Sequence, residues 1–355
     1  MTRAPDDLWS TLAAAGLTSG DMPAAEPHTP WYVRVMLGFA GWLAASFLLG
    51  FVGVAFMFVM QSRTAAVSLG FMVIAAAYAV FRMAPRNDFS AMFGIAVSFA
   101  GQALVAIGIL GLFERGLAGA APYATIAAIE AALALIMPNF IHRVVSAYGA
   151  GIAFAYACEM SGAHALGAGV LAASVAFVWL QEARLGRRVA IVSPVGYGLT
   201  LALIQVEGMA SWRHSLAMLV QEKPFLGASA WIGEALVGIA FLVSVWALLR
   251  RAAWEAGELR TLLGLAAAVL LGAASFKAPG IAAGLMIVLL GFAGGNRVLA
   301  GLGIASLLFY MSSYYYLLDT TLLVKSGVLL ATGVVLLGAR ALILSYVLPR
   351  ERAGA

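Results

Sequence analysis

The residues of this sequence able to do chemistry are the ionisable and phenolic side chains that interrupt long apolar runs. Charge in hydrocarbon is costly and has to be paired, neutralised or solvated. Glu130 sits between alanines near the middle of one run, and Glu234 lies near the start of another. Tyr310, Tyr314, Asp319 and Lys325 crowd into one stretch between Asn296 and Arg340, which reads as a helical hairpin turning at Leu317 to Thr320. Carboxyls, phenols and a lysine in such surroundings are groups that bind protons, ions or small polar solutes. Asp319 and Lys325 do not make an ordinary helical ion pair: residues six apart fall about 120° apart around a helix, whereas facing pairs are three or four apart. Asp319 is expected instead to cap the helix starting at Thr321, where free amides favour an acid. Lys325 then shares a face with Thr321 and Thr332. The face of the preceding arm that carries Gly303, Ser306, Tyr310 and Ser313 is expected to pack against it.

Other chemistries lack their residues. His28, His142, His164 and His214 fall in separate loops or helix ends, and none pairs with another at metal-ligand spacing. Aspartate occurs only at Asp6, Asp7, Asp21, Asp88 and Asp319, which builds no paired-aspartate phosphotransferase motif. Ser161-Gly162 has neither the flanking glycines nor a histidine partner of a serine nucleophile. A single cysteine, Cys158, allows no internal disulfide and no thiolate metal site. The expectation is a protein without catalytic residues, metal or cofactor.

The elements that position these groups follow from composition. Hydrophobic residues make up 63% of the 355 and charged residues 10%, against roughly half and a quarter in soluble domains. The pattern predicts an all-α, polytopic transmembrane bundle with the lipid bilayer as its partner. Its net charge of +5 is scattered singly rather than clustered, so it does not suggest a nucleic-acid binder. Residues 1–33 read as a cytoplasmic tail with a short amphipathic helix, 34–346 as the membrane domain, and 347–355 as a second cytoplasmic tail. Apolar runs at about 35–60, 65–82, 89–112, 119–137, 140–158, 163–181, 189–207, 228–249, 259–276, 279–294, 298–316 and 321–346 give about twelve spans. The pair 259–276 and 279–294 is short enough to be a tight hairpin or re-entrant.

Threaded with both termini inside, fifteen of the 21 basic residues face the cytoplasm, including Arg187-Arg188 and Arg250-Arg251. Six remain outside: Arg63, Arg115, Arg213, Lys223, Lys277 and Lys325. The loop Gly208 to Gly227 is then external, with a short interfacial helix capped by Ser211. Gln205, Glu207, Glu234, Lys277, Tyr314, Asp319 and Lys325 gather in the outer half of the bilayer, as a polar vestibule would require. Glu207, Lys277 and the tyrosine run read instead as locally paired or reaching the interface. Glu130 lies too deep to reach it.

Glycine marks packing. Gly280, Gly284, Gly291 and Gly295 fall at rotations of about 0°, 40°, 20° and 60° on an ideal helix, one stripe that a neighbouring backbone can approach. The sequence leaves open whether that neighbour belongs to this chain, a second copy or another membrane protein.

Gly295-Asn296-Arg297, Leu302-Gly303-Ile304, Tyr314-Tyr315-Tyr316, Thr321-Leu322-Leu323 and Lys325-Ser326 resemble the domain-of-unknown-function 4401 family of bacterial polytopic membrane proteins. The likeness extends from about Trp31 to Arg340. The resemblance implies a bacterial inner membrane and an all-helical fold, and supplies no reaction, substrate or catalytic residue. A structural or assembly role in the envelope is the first expectation. A transporter or channel for a small solute, ion or proton, using Glu130 and the outer polar set, is the alternative.

Overall fold

The computed structural model describes residues 62–83, 88–113, 119–182, 188–219, 228–251, 258–276 and 279–317, with isolated positions before residue 51. The side chains of 211–219, 228–230 and 258–263, and those of Tyr314 and Tyr316, fall outside the description. Ten long helices make up the described residues: α1 (Arg63–Met83), α2 (Asp88–Leu112), α3 (Ala121–Ile136), α4 (Phe140–Met160), α5 (His164–Gln181), α6 (Val189–Leu219), α7 (Ala228–Arg251), α8 (Glu258–Ser275), α9 (Ile281–Ala293) and α10 (Arg297–Leu317). There is no strand among them. In the tail, the described helical positions end at Gly16, whose φ is 70°.

Punctuation in the sequence sets the helix bounds. Pro122 opens α3, where its missing N–H costs nothing. Asn139 caps α4, its side chain accepting from His142 N at 3.0 Å. Two glycines bracket α9 in the left-handed region, Gly280 at φ 91° and Gly295 at φ 64°, a conformation that only glycine adopts without strain. The sequence expectation made both of them members of a helical stripe. They are turn residues, and only Gly284 and Gly291 lie within the helix.

Among the described residues five helices are long and apolar enough to cross a membrane: Arg63–Met83, Phe89–Leu112, His164–Gln181, Val189–Ala210 and Trp231–Arg251. Length and composition here suggest a membrane protein. About twelve spans were expected, of which most of the run 35–60 lies outside the described residues. α9 has 13 residues, about 20 Å of helix against a hydrocarbon core about 30 Å thick. α4 carries His142, Arg143 and Glu159 among its 21 residues. The run 321–346 lies outside the described residues. The separate external helix expected after Gly208 is also corrected. α6 continues to Leu219, because one glycine costs a helix only about 1 kcal/mol and the residues after it are mostly ordinary helix formers.

Two apolar cores are joined by α4. One gathers Ile74, Phe81, Ile95, Val105 and Leu133 from α1, α2 and α3. The other gathers Val175, Leu203, Val237, Met286 and Leu299 from α5, α6, α7, α9 and α10. α4 lays Tyr148 and Ile152 on the second core, while its His142 ring meets Phe81 and Phe99 beside the first, each at 5.9 Å between centroids. Small residues permit these contacts: a Cβ on Gly151 would fall 2.6 Å from that of Ala202, and one on Gly70 would fall 2.7 Å from the carbonyl oxygen of Gly101. At the centre, α9 is short and apolar throughout, with seven of its residues buried.

The helix directions sort the arginines. Gly111 of α2 lies beside Arg63 and Gly94 beside Phe81, so α1 and α2 are antiparallel. Arg143 donates to the carbonyl of Ala190 at 2.5 Å, and Arg251 to that of Leu180 at 2.5 Å, which ties together the starts of α4 and α6 and the ends of α5 and α7. Arg82, Arg143, Arg188, Arg250, Arg251 and Arg297 thereby lie at one end of the bundle, and Arg63 at the other.

Candidate functional site

Two buried polar clusters stand out in this apolar interior. The first lies where α6, α7, α9 and α10 converge. Glu207, near the point where the apolar part of α6 ends, and Glu234, in the first turns of α7, share a side-chain hydrogen bond. Gly280 donates its backbone N–H to Glu207. That amide is free because Gly280 is the N-cap of α9, and its left-handed conformation turns the chain there. Glu207 is 2% exposed. Tyr310 of α10 is 1% exposed, packs its ring over Gly280 and donates its hydroxyl to the carbonyl of Ile204 at 2.8 Å. A Cβ on Gly280 would stand 2.8 Å from that ring.

Two carboxyls can hydrogen-bond to each other only when one carries a proton, because an ionised carboxylate has acceptors alone. Two full charges about 4 Å apart would repel by about 4 kcal/mol even at the effective dielectric of a protein near its surface. One oxygen of each acid, Oε2 of Glu207 and Oε2 of Glu234, has no hydrogen-bond partner among the described residues. The cluster therefore shares a proton and keeps two acceptors open.

The second cluster lies on the seam formed by α4. His142 and Ser146 of α4 face Ser98 and Gln102 of α2, and Glu130 of α3 hydrogen-bonds Ser146. Ser98, His142 and Ser146 are fully buried, and Glu130 is 9% exposed. The Gln102 amide nitrogen lies 3.0 Å from His142 Nε2 and donates to it, so this ring nitrogen is an acceptor. Ser98 Oγ lies 2.6 Å from the same nitrogen and accepts from Gln102 Nε2 at 3.4 Å. The neutral ring then carries its hydrogen on Nδ1, 3.4 Å from Ser146 Oγ, and Ser146 passes the chain on to Glu130. Glu130 Oε2 has no partner among the described residues, while its side chain passes over Gly149, where a Cβ would lie 3.5 Å from its Cγ.

Of the residues picked out by sequence, the structure brings Glu234, Tyr310 and Gly280 together around Glu207, and places Glu130 apart in the second cluster. Gly284 and Gly291 face α10: a Cβ on the first would meet Leu307 and Ser306, and one on the second the backbone of Leu299 and Ala300. Gly295 has no neighbour within 4 Å of such a Cβ. The Tyr314 side chain, Asp319, Lys325 and Lys277 lie outside the described residues. The face expected to receive Lys325 is taken by other helices. A Cβ on Gly303 would fall 2.6 Å from Val288 N, Ser306 abuts Gly284, and Tyr310 is committed to Ile204, because small residues let α9 come close. Of the two expectations for Glu207, the local pairing is the one seen. It is paired in the interior.

Sequence reasoning passed over Ser98, Gln102, His142 and Ser146. Their signal was present: Ser98 and Gln102 are four apart, as are His142 and Ser146, so each pair lies on one helical face. His164 pairs with Glu159 at 3.2 Å. No group of three or more His, Cys, Asp or Glu able to hold a metal occurs among the described residues.

No curated protein and no solved structure matches the chain. The family model described as a domain of unknown function, DUF4401, matches residues 30–346, which span both clusters and every described helix. The chain belongs to the DUF4401 family.

Proposed function

We propose that this is a multi-pass protein of the bacterial inner membrane that moves protons, alone or coupled to a small solute, through the Glu207–Glu234 pair. One observation carries the reading: two carboxyls from separate helices meet in the interior, share one hydrogen bond and leave two acceptors unfilled. Ionisable groups buried among membrane helices are expensive, and no basic side chain among the described residues forms an ion pair with either acid. A proton held between two such acids can be exchanged by a small movement of α7 against α6. The arginine-bearing end supports a cytoplasmic placement for that side.

The structural or assembly role is the second reading. It is favoured by the backbone-tight contacts of α9 with α10 and by the clefts at α5–α7 and α4–α6, neither of which is lined by Glu130, Glu207 or Glu234. Purified protein in liposomes with a trapped pH dye separates the two. Under an imposed membrane potential the wild type should acidify the lumen, and Glu207→Gln or Glu234→Gln should reduce the rate at least about tenfold, the effect of losing roughly 1.4 kcal/mol at a barrier. Wild-type flux no faster than that of empty liposomes would discard the proton reading and leave the structural one.

A further inference from the structure

The cleft between α5 and α7 has the dimensions of one bilayer leaflet. Its helices touch at Gly169, where a Cβ would lie 2.6 Å from Leu236, and at Gly233, where one would lie 3.5 Å from Ala165. From there a groove of about 390 Å³ runs between them toward the arginine-bearing end. Along α5 it reaches from Gly169 to Gln181, about 18 Å at 1.5 Å per residue, against about 15 Å for half a hydrocarbon core. Its walls are apolar, with Ala173, Phe177, Ile239 and Val243 exposed. Both of its polar lining residues, Gln181 and Arg251, lie at the open end.

Arg251 uses one guanidinium N–H on Leu180 O and is otherwise exposed, which leaves donors in the fork that suits phosphate. Gln181 Oε1 is buried with no hydrogen-bond partner among the described residues. Arg250, stacked 4.7 Å over Trp246, adds positive charge at the same level without lining the cleft.

We propose that this cleft holds one acyl chain of an anionic phospholipid from the leaflet at the arginine-bearing end. Arg251 binds the phosphate. The narrowing at Gly169 and Leu236 stops the chain near mid-bilayer. Charge complementarity selects the anionic lipid over a zwitterionic one.

The test is native mass spectrometry of the full chain in detergent, titrated separately with phosphatidylglycerol and phosphatidylcholine. Wild type should retain phosphatidylglycerol at least about tenfold more strongly. Arg251→Met should erase that preference, Arg250→Met should keep it, and Ala173→Trp, which fills the cleft from its exposed wall, should lose both lipids. Equal retention of the two lipids by wild type overturns the headgroup assignment. Undiminished phosphatidylglycerol binding in Ala173→Trp overturns the cleft as its site, and this variant keeps the test decisive if Arg251→Met does not fold.

Discussion

Replacing Gly291 with alanine should destabilise the bundle even though alanine is the better helix former. In a helix interior the exchange is worth about 0.5–1 kcal/mol in alanine's favour. Against this stands the contact with α10: the new Cβ would lie 2.8 Å from Ala300 Cα and 3.0 Å from the carbonyl carbon of Leu299, with Ala300 N closer still. All three are backbone atoms, so relief requires α10 to move as a whole and carry Tyr310 with it. Overpacking of this kind costs about 1–3 kcal/mol, which leaves a net loss of up to about 2.5 kcal/mol. Gly284→Ala should cost less, because its nearest neighbours are the ends of the Leu307 and Ser306 side chains, which can turn aside. Gly301→Ala on α10 meets nothing within 4 Å and should gain up to about 1 kcal/mol. The assay is the melting temperature of the three variants and wild type in one detergent, at roughly 2 °C per kcal/mol for a chain of this size. The expected order, from most to least stable, is Gly301→Ala, wild type, Gly284→Ala, Gly291→Ala. A Gly291→Ala variant melting at or above Gly301→Ala would falsify the close approach of α9 and α10.

Three further outcomes follow from the same geometry. His142→Leu strands the hydrogen-bonding groups of Ser98, Gln102 and Ser146, at about 1–3 kcal/mol for each left buried and unsatisfied; its melting temperature should fall well below that of Cys158→Ala, a small apolar exchange elsewhere on α4. Tyr310→Phe loses one bond to Ile204 and should cost about 1 kcal/mol, whereas Tyr310→Ala empties the space over Gly280 and should cost about 3–5 kcal/mol; equal effects would mean the ring does not fill that space. For orientation, in a Cys158→Ala background, Ser161→Cys should react with an impermeant maleimide from outside intact cells, and Arg250→Cys only after permeabilisation. The reverse pattern would invert the threading.

Much of the fold was legible locally. The apolar run 163–181 corresponds to α5, and the arm from Val298 to Tyr316 to α10, because helix ends are set by short-range signals such as Asn139, Gly280 and Gly295. The count of spans was less legible. Run length alone does not show where a helix stops, as α9 illustrates, nor that α6 continues through Gly208. Of the candidate site, Glu130, Glu234 and Tyr310 were visible as single anomalies in apolar sequence, whereas Ser98 and Gln102 are uncharged residues mid-helix and His142 sits at a helix start, where polar residues are common.

A helical, apolar chain with the composition of a membrane protein, the positions of its costly carboxyls and its family are all local readings. Composition, caps and motifs act within a few residues, so they can be read without a neighbour. Helix packing brings Glu207 to Glu234 beneath Tyr310, joins Glu130 to Ser146 and His142 instead, and gives the Gly303 face to α9. In water an amphipathic helix announces its buried face. Among helices whose lipid-facing and core-facing sides are both apolar that signal is weak, and lateral partners are chosen by the close fit of small residues between helices.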